Sequence, residues 1–333
     1  MSSLDDNHKR LEDTLKFIGK DVLEPTFLCT GVVLNALVFC IWMFGPKSRS
    51  LCCATYFTAN ATADFLLLMI VPIMLGRGII LIHWRITDFT CKLNRSLYNI
   101  ILQVSTWLSA TITVERALTI ILPFVFKSQD MSRRPKYMVA LIIIIQPFTQ
   151  IFTLMYRKVQ NDPVTNDTYC FYNSVDEWQI VEILHMCLAI VIPFAVIVTF
   201  NLATIMALCR NRFRQHTVSG NQDHVHVFTK ITIMTGVSFV ISYFIEIYIR
   251  ICQILATHVK RDCHPWMSSL VFAMVYFNSC MNPIICLVVC RSMHDDMRSF
   301  LMAVIRRVRR LCASRCWPQE SETANAFPMA TMV

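Results

Sequence analysis

Seven stretches of mostly apolar residues alternate with short polar connections along the 333-residue chain, roughly at 22–44, 52–76, 89–121, 136–156, 179–208, 227–256 and 265–289. A helix needs about 20 such residues to cross a bilayer, because lipid offers backbone amides no partner and the helix must satisfy them internally. The pattern predicts an all-α membrane protein. Its parts are a polar N-terminal segment over 1–21, a seven-transmembrane helix bundle over 22–289, a short amphipathic eighth helix over 290–305 and a tail over 306–333. The third stretch is unusual in carrying Asn94, Arg95, Asn99, Gln103, Ser105 and Thr106 in its first half. Polar residues at that depth predict an interior helix facing a cavity.

From Arg291 to Val304 the apolar residues Met293, Met297, Phe300, Leu301 and Val304 fall on one helical side, with Asp295, Asp296 and Arg298 on the other. The segment reads either as the end of the seventh helix or as a helix along the membrane surface. Cys312 and Cys316, just beyond, are either candidates for S-acylation or idle thiols.

Composition agrees with a membrane chain. Only 16% of residues are charged and the mean hydropathy is +0.50, against about 25% charged in an average globular protein. This disfavours a soluble enzyme and excludes a disordered or collagen-like chain. No Ser/His/Asp arrangement, phosphate-binding glycine loop or zinc-spaced Cys/His set is visible, so no enzymatic chemistry is expected. Nor do these residue types call for an organic cofactor. The polar first twenty residues contain no recognisable signal peptide.

The net charge of +9 acquires meaning from its distribution. Eighteen basic and seven acidic residues fall on one side of the spans, and thirteen of each on the other. The positive-inside rule then predicts an extracellular N-terminus and a cytoplasmic C-terminus. The basic excess points to anionic lipid and an intracellular partner, not to nucleic acid.

Polar residues inside lipid are costly, so each is a functional candidate. In order they are Asn35 after Gly31, Asn60 and Asp64, Glu115-Arg116-Ala117, and Asn278-Ser279-Cys280-Met281-Asn282-Pro283, with Cys91 25 positions before Arg116 and Ile192-Pro193-Phe194 in the fifth stretch. With these marks in this order, residues 25–305 resemble a rhodopsin-like, class A G-protein-coupled receptor. The resemblance implies a plasma-membrane receptor that binds an extracellular ligand and activates a heterotrimeric G protein. It also implies a disulfide between Cys91 and Cys170. Asn166-Asp167-Thr168 is a usable glycosylation sequon, and Cys252 either forms a second bridge with Cys263 across the last outer loop or sits in lipid.

Asp64 resembles the family's sodium-site aspartate, with Ser105, Asn278 and Asn282 at matching places. The alternative is a protonated Asp64 hydrogen-bonded to Asn35 and Asn282. Glu115 and Arg116 resemble the switch pair, with Asn282 and Pro283 at the inner end of the seventh helix. Departures are several. Val225 stands where a second clamping acid is usual, Tyr243 and Ile245 replace the sixth-helix tryptophan and proline, and Asn201 and Cys286 replace two tyrosines.

Tyr98 stands where amine receptors carry aspartate, and Tyr276 where opsins carry lysine, which disfavours both subclasses. The outer mouth is expected to gather Arg77, Trp84, Tyr98, Gln103, Trp178, Glu182, His185, Tyr243, Glu246, Arg250 and Tyr276. Such a charged opening suits a peptide of the neuropeptide type. Glu246 and Arg250, four apart, either form an intrahelical ion pair or leave Glu246 to meet a basic ligand group. A chemosensory receptor and a non-signalling decoy or carrier of the same fold are the rival readings.

Overall fold

The computed structural model describes residues 2–49, 53–74, 87–122, 133–161, 168–172, 174–212, 222–258 and 265–316. Its helices are α1 (Ser2–Phe17), α2 (Glu24–Phe44), α3 (Pro46–Arg49), α4 (Ala54–Met74), α5 (Asp88–Ile121), α6 (Arg134–Ile145), α7 (Ile151–Tyr156), α8 (Val175–Met186), α9 (Ile192–Arg212), α10 (Gln222–His258), α11 (Pro265–Val289) and α12 (Arg291–Cys316). Six rods among the described residues are long and apolar enough to cross a membrane: Arg10–Phe44, Asp88–Ile121, Arg134–Tyr156, Val175–Arg210, Val227–Ala256 and Trp266–Val289. The 21-residue α4, which carries Asp64, supplies the second rod of a seven-helix bundle.

Local chemistry explains where the rods begin and break. Thr87 caps α5 through a reciprocal box, its Oγ1 accepting from the Thr90 N–H while the Thr90 hydroxyl accepts from the Thr87 N–H. Ser174 accepts from the Glu177 N–H at the start of α8. Pro147 lies in a five-residue 3₁₀ turn, Gln146–Gln150, between α6 and α7. Pro193 follows a π-helical turn, Cys187–Val191, between α8 and α9. In each case the proline lacks the N–H that would continue the ladder. Pro283 lies inside α11 and has no N–H to offer the Ser279 carbonyl. Asn35 supplies the missing donor, its Nδ2 lying 2.9 Å from that oxygen and 2.9 Å from the Gly31 carbonyl.

Two expectations change. The segment before residue 22 is not separate from the first rod: α1 runs through a π-helical turn, Ile18–Leu23, into α2. Its Gly19 packs so closely on α11 that an added Cβ would lie 3.2 Å from that of Ser269. The eighth helix is longer than 290–305, since α12 continues to Cys316 without a helix breaker. A two-stranded antiparallel hairpin also interrupts the helical pattern. Strands β1 (Arg157–Asn161) and β2 (Thr168–Tyr172) pair Arg157 with Tyr172 and Val159 with Cys170.

Close packing joins the first, second and last rods. A Cβ on Gly31 would lie 2.6 Å from Leu68 Cδ1 and 2.7 Å from Cys280 Sγ. Only hydrogen fits between α2, α4 and α11 at this level.

Candidate functional site

The Cys91–Cys170 disulfide forms, with a Cα separation of 5.7 Å. It ties β2 to α5 and so holds the hairpin against one end of the bundle. At that end a buried charged cluster joins α5, α8 and α10. Arg250 donates through Nε to Glu246 Oε1 at 2.8 Å and through Nη1 to Glu182. Arg95 donates to Glu182 Oε2 at 3.1 Å. The Glu246–Arg250 pair is therefore intrahelical, as its spacing allows, and also part of an interhelical network. Glu182, Glu246 and Arg250 are buried and Arg95 is half-buried, and their opposite charges meet across the three helices.

Aromatic residues lie beside this cluster. Tyr98, Tyr243 and Tyr276 share one buried core group; the Tyr98 ring is 6.0 Å from Phe272, which is 6.3 Å from Tyr276. Several polar atoms in the region lack hydrogen-bond partners, among them Glu246 Oε2, Tyr98 Oη and both nitrogens of His185. Gln103 belongs instead to an amide network with the fourth rod. Its Oε1 accepts from Thr149 at 2.6 Å, and Asn99 donates to Gln150 Oε1 at 2.9 Å.

Arg157 and Tyr172 were missing from the expected set. The Arg157 guanidinium lies 5.4 Å from the centre of the Tyr172 ring, and its buried Nε has no hydrogen-bond partner. Burial, reinforced by Arg95, holds Arg157 below the usual guanidinium range, while burial raises the Tyr172 phenol. Arg157 pairs with no carboxylate among the described residues, unlike Arg95 and Arg250. It directly follows the fourth apolar stretch, and the strand pairing and the disulfide turn it toward this end.

The second polar site lies deeper. Asp64 is fully buried and accepts four hydrogen bonds: from Ser105 at 2.6 Å and Ser279 at 3.1 Å on Oδ1, and from Asn60 and Asn282 at 2.9 Å each on Oδ2. Ser105 and Asn282 thus both lie against Asp64. Ser279 and Asn60 complete its contacts in place of Asn278, because Pro283 and the helical register of α11 turn Ser279 toward α4. The Asn278 Oδ1 is buried with no hydrogen-bond partner. Asn35 bonds the Ser279 carbonyl and not the carboxylate.

At the opposite end from the disulfide, Arg116 lies 5.1 Å from the centre of the Phe228 ring of α10. Phe228 continues through Phe57 to Trp42, with ring separations of 6.4 and 5.1 Å. Arg116 therefore closes an aromatic series linking α5, α10, α4 and α2. Asn201 on α9 approaches Gly236 on α10, where an added Cβ would lie 3.2 Å from Asn201 Cγ. Arg77, Trp84, Asn166, Cys263 and the loop proline Pro123 lie outside the described residues. Cys312 and Cys316 fall within α12, but their side chains, like that of Val225, are not described.

This fold, with its disulfide, buried carboxylate and proline-containing seventh rod, matches the family model of the seven-transmembrane receptor (rhodopsin family) over residues 34–285. The chain belongs to that family, whose members are signalling receptors and not enzymes. Among its relatives, the C5a anaphylatoxin chemotactic receptor 1 of Rattus norvegicus is 25% identical over 84% of this chain and 78% of the relative. The C3a anaphylatoxin chemotactic receptor of Oncorhynchus mykiss is 22% identical over 84% and 75%. The type-1 angiotensin II receptor B of Rattus norvegicus is 23% identical over 85% and 82%.

Proposed function

We propose that this chain is a plasma-membrane receptor, with its N-terminus outside and its C-terminus in the cytoplasm, that binds an extracellular peptide and activates a heterotrimeric G protein. One observation carries the ligand class: uncommitted buried polar atoms of opposite character occur at the disulfide end, Glu246 Oε2 as an acceptor and Arg157 Nε as a donor. A ligand bearing both a cation and an anion satisfies both, and a peptide with free or side-chain charges has that chemistry. The relatives named for C5a, C3a and angiotensin II support the same reading.

In this reading Glu115 and Arg116 are the switch at the cytoplasmic end, and Arg116 leaves the Phe228 face when α10 moves. The charge asymmetry of the chain supports the orientation. Asp64 is the centre of a Na⁺ site. Three oxygens meet there, Asp64 Oδ1 with the hydroxyls of Ser105 and Ser279, and hydroxyl protons can rotate away to leave lone pairs facing a cation. Hard oxygen donors of this kind suit Na⁺, and the orphaned Asn278 Oδ1 is a further acceptor at this depth.

The test is a peptide-library screen in cells carrying a promiscuous G-protein readout, repeated with Glu246→Gln and Arg157→Gln. Active peptides bearing a cationic group should lose at least about tenfold in potency against Glu246→Gln, about 1.4 kcal/mol. Unchanged potency for every activating peptide would refute the role of Glu246. A decoy is the second reading, favoured by α10, which runs from Gln222 to His258 without a proline. Basal coupling that disappears in Arg116→Ala rejects it.

A further inference from the structure

The first two turns of α12 pack against the bundle, down to Met297. Met293 is fully buried, Asp296 Oδ2 accepts from the Ser48 N–H at 2.8 Å, and Lys47 pairs with Asp295 at 2.6 Å. From Arg298 to Arg309 every side chain described is exposed. Within this stretch Phe300-Leu301-Met302-Ala303-Val304-Ile305 is an uninterrupted apolar run. At about 100° per residue, six in a row present apolar surface in every direction around the helix.

That distribution discriminates between occupants. A helix lying on a bilayer has one apolar face and a charged face opposite. Here Phe300 is 48% and Met302 52% exposed, and Met302, two residues further on, projects about 160° away from Phe300 around the helix. A flat membrane surface covers one of these sides and leaves the other in water. A groove that closes around the helix covers both.

Charge specifies the partner further. Residues 298–316 contain Arg298, Arg306, Arg307, Arg309, Arg310 and Arg315 and no Asp or Glu. We propose that this segment, about 28 Å long at 1.5 Å per residue, docks an acidic, helix-clasping calcium sensor of the EF-hand class, whose methionine-rich groove opens on binding Ca²⁺. Phe300, Ile305 and Val308 anchor the helix in the groove, and the arginines meet the acidic rim. The inference rests on the cytoplasmic placement of α12 for its physiological setting, but not for its measurement.

The experiment uses purified full-length receptor in phosphatidylcholine nanodiscs, with calmodulin as the probe. Binding should be saturable in Ca²⁺ and at least 100-fold weaker in EGTA. Met302→Asp and Ile305→Asp should each weaken it at least tenfold, and Arg306→Gln with Arg307→Gln should do likewise, while the thermal melting of the bundle stays unchanged. Absence of Ca²⁺-dependent binding overturns the proposal. So does protection of the arginines from trypsin in phosphatidylserine nanodiscs that calmodulin cannot reproduce, an outcome assigning the segment to the membrane surface. A receptor that binds calmodulin but activates no G protein refutes the signalling reading alone, and one that signals without binding calmodulin refutes only this inference.

Discussion

Asp64 and Glu182 are both buried carboxylates, 0% and 6% exposed, yet their neighbours treat them differently. Asp64 is held by four neutral donors and faces no cation in its hydrogen-bonded shell. Glu182 meets Arg95 and Arg250 directly, and Arg250 also holds Glu246. Removing an ion from water costs several kcal/mol. Neutral hydrogen bonds offset part of that cost at Asp64 but leave its negative charge uncompensated, which is the charge that the proposed Na⁺ would balance. The second cluster carries two charges of each sign among Arg95, Glu182, Glu246 and Arg250, and so ties α5, α8 and α10 to one another.

The largest expected effect breaks the paired side of this comparison. Arg250→Ala leaves Glu246 and part of Glu182 buried without their cation, a change worth about 3–5 kcal/mol when one partner of a buried pair is lost. Thermal melting of the purified receptor and surface expression should both fall sharply. A melting curve within about 1 kcal/mol of wild type would show that the three helices do not depend on the pairing.

Gly31→Ala tests the packing behind the unpaired side. The new methyl would meet Leu68 and Cys280 at 2.6 and 2.7 Å, and overpacking of this kind costs about 1–3 kcal/mol. The strain should fall on α2 and α11, where Asn35 joins the Gly31 and Ser279 carbonyls, and it should weaken any Na⁺ dependence of stability as well as lowering the melting temperature. Normal melting would mean that the rods separate there at little cost.

Asp64→Asn sharpens the contrast with less structural damage, because the amide preserves the shape. Replacing choline chloride with NaCl at saturating Na⁺ should stabilise wild type by about 1 kcal/mol or more through linkage and leave Asp64→Asn unmoved. Equal responses of the two proteins would remove Na⁺ from the site. The same substitution at Glu182 should instead be destabilising in both salts, since its arginines would lose a charged partner.

The two sites were unequally legible in the sequence. Hydropathy located the rods because a bilayer imposes one length on all of them, and Asp64, Ser105 and Asn282 were visible as polar residues with nowhere polar to go. Ser279 was less visible because serine is cheap to bury, and its contact with Asp64 depends on how Pro283 and Asn35 set α11 locally. Glu182, Glu246 and Arg250 were found, but Arg95 was read only as a polar residue of the third stretch. Its pairing needed the rotation of α5 against α8. Arg157 was illegible: a basic residue at the end of a span reads as a solvated flank until the Cys91–Cys170 bridge folds the hairpin back. The lengths of α1 and α12 were missed for a related reason, since hydropathy marks where a helix leaves lipid and not where its backbone stops.

The smallest expected effect comes from an ion pair at the surface, which calibrates both buried sites. Lys47 and Asp295 are 2.6 Å apart with side chains 60% and 58% exposed, and water screens such a pair almost completely. Each group nevertheless carries the sign of the contact: Lys47 holds Asp295 below the ordinary carboxylate range, and Asp295 holds Lys47 above the ordinary ammonium range. The Asp295 contribution is present above its unfolded pKa and is lost as pH falls through its lower folded value. That of Lys47 is present below its unfolded pKa and is lost as pH rises through its higher folded value. Any stabilisation is therefore flat between about pH 5 and 9, within the span of the two reference values, and disappears toward either extreme. Lys47→Met should leave melting at pH 7 unchanged within error in 150 mM salt, with a difference emerging only at low ionic strength. A Lys47→Met effect as large as that of Arg250→Ala would mean that contact distance, and not desolvation, sets the strength of ion pairs in this protein.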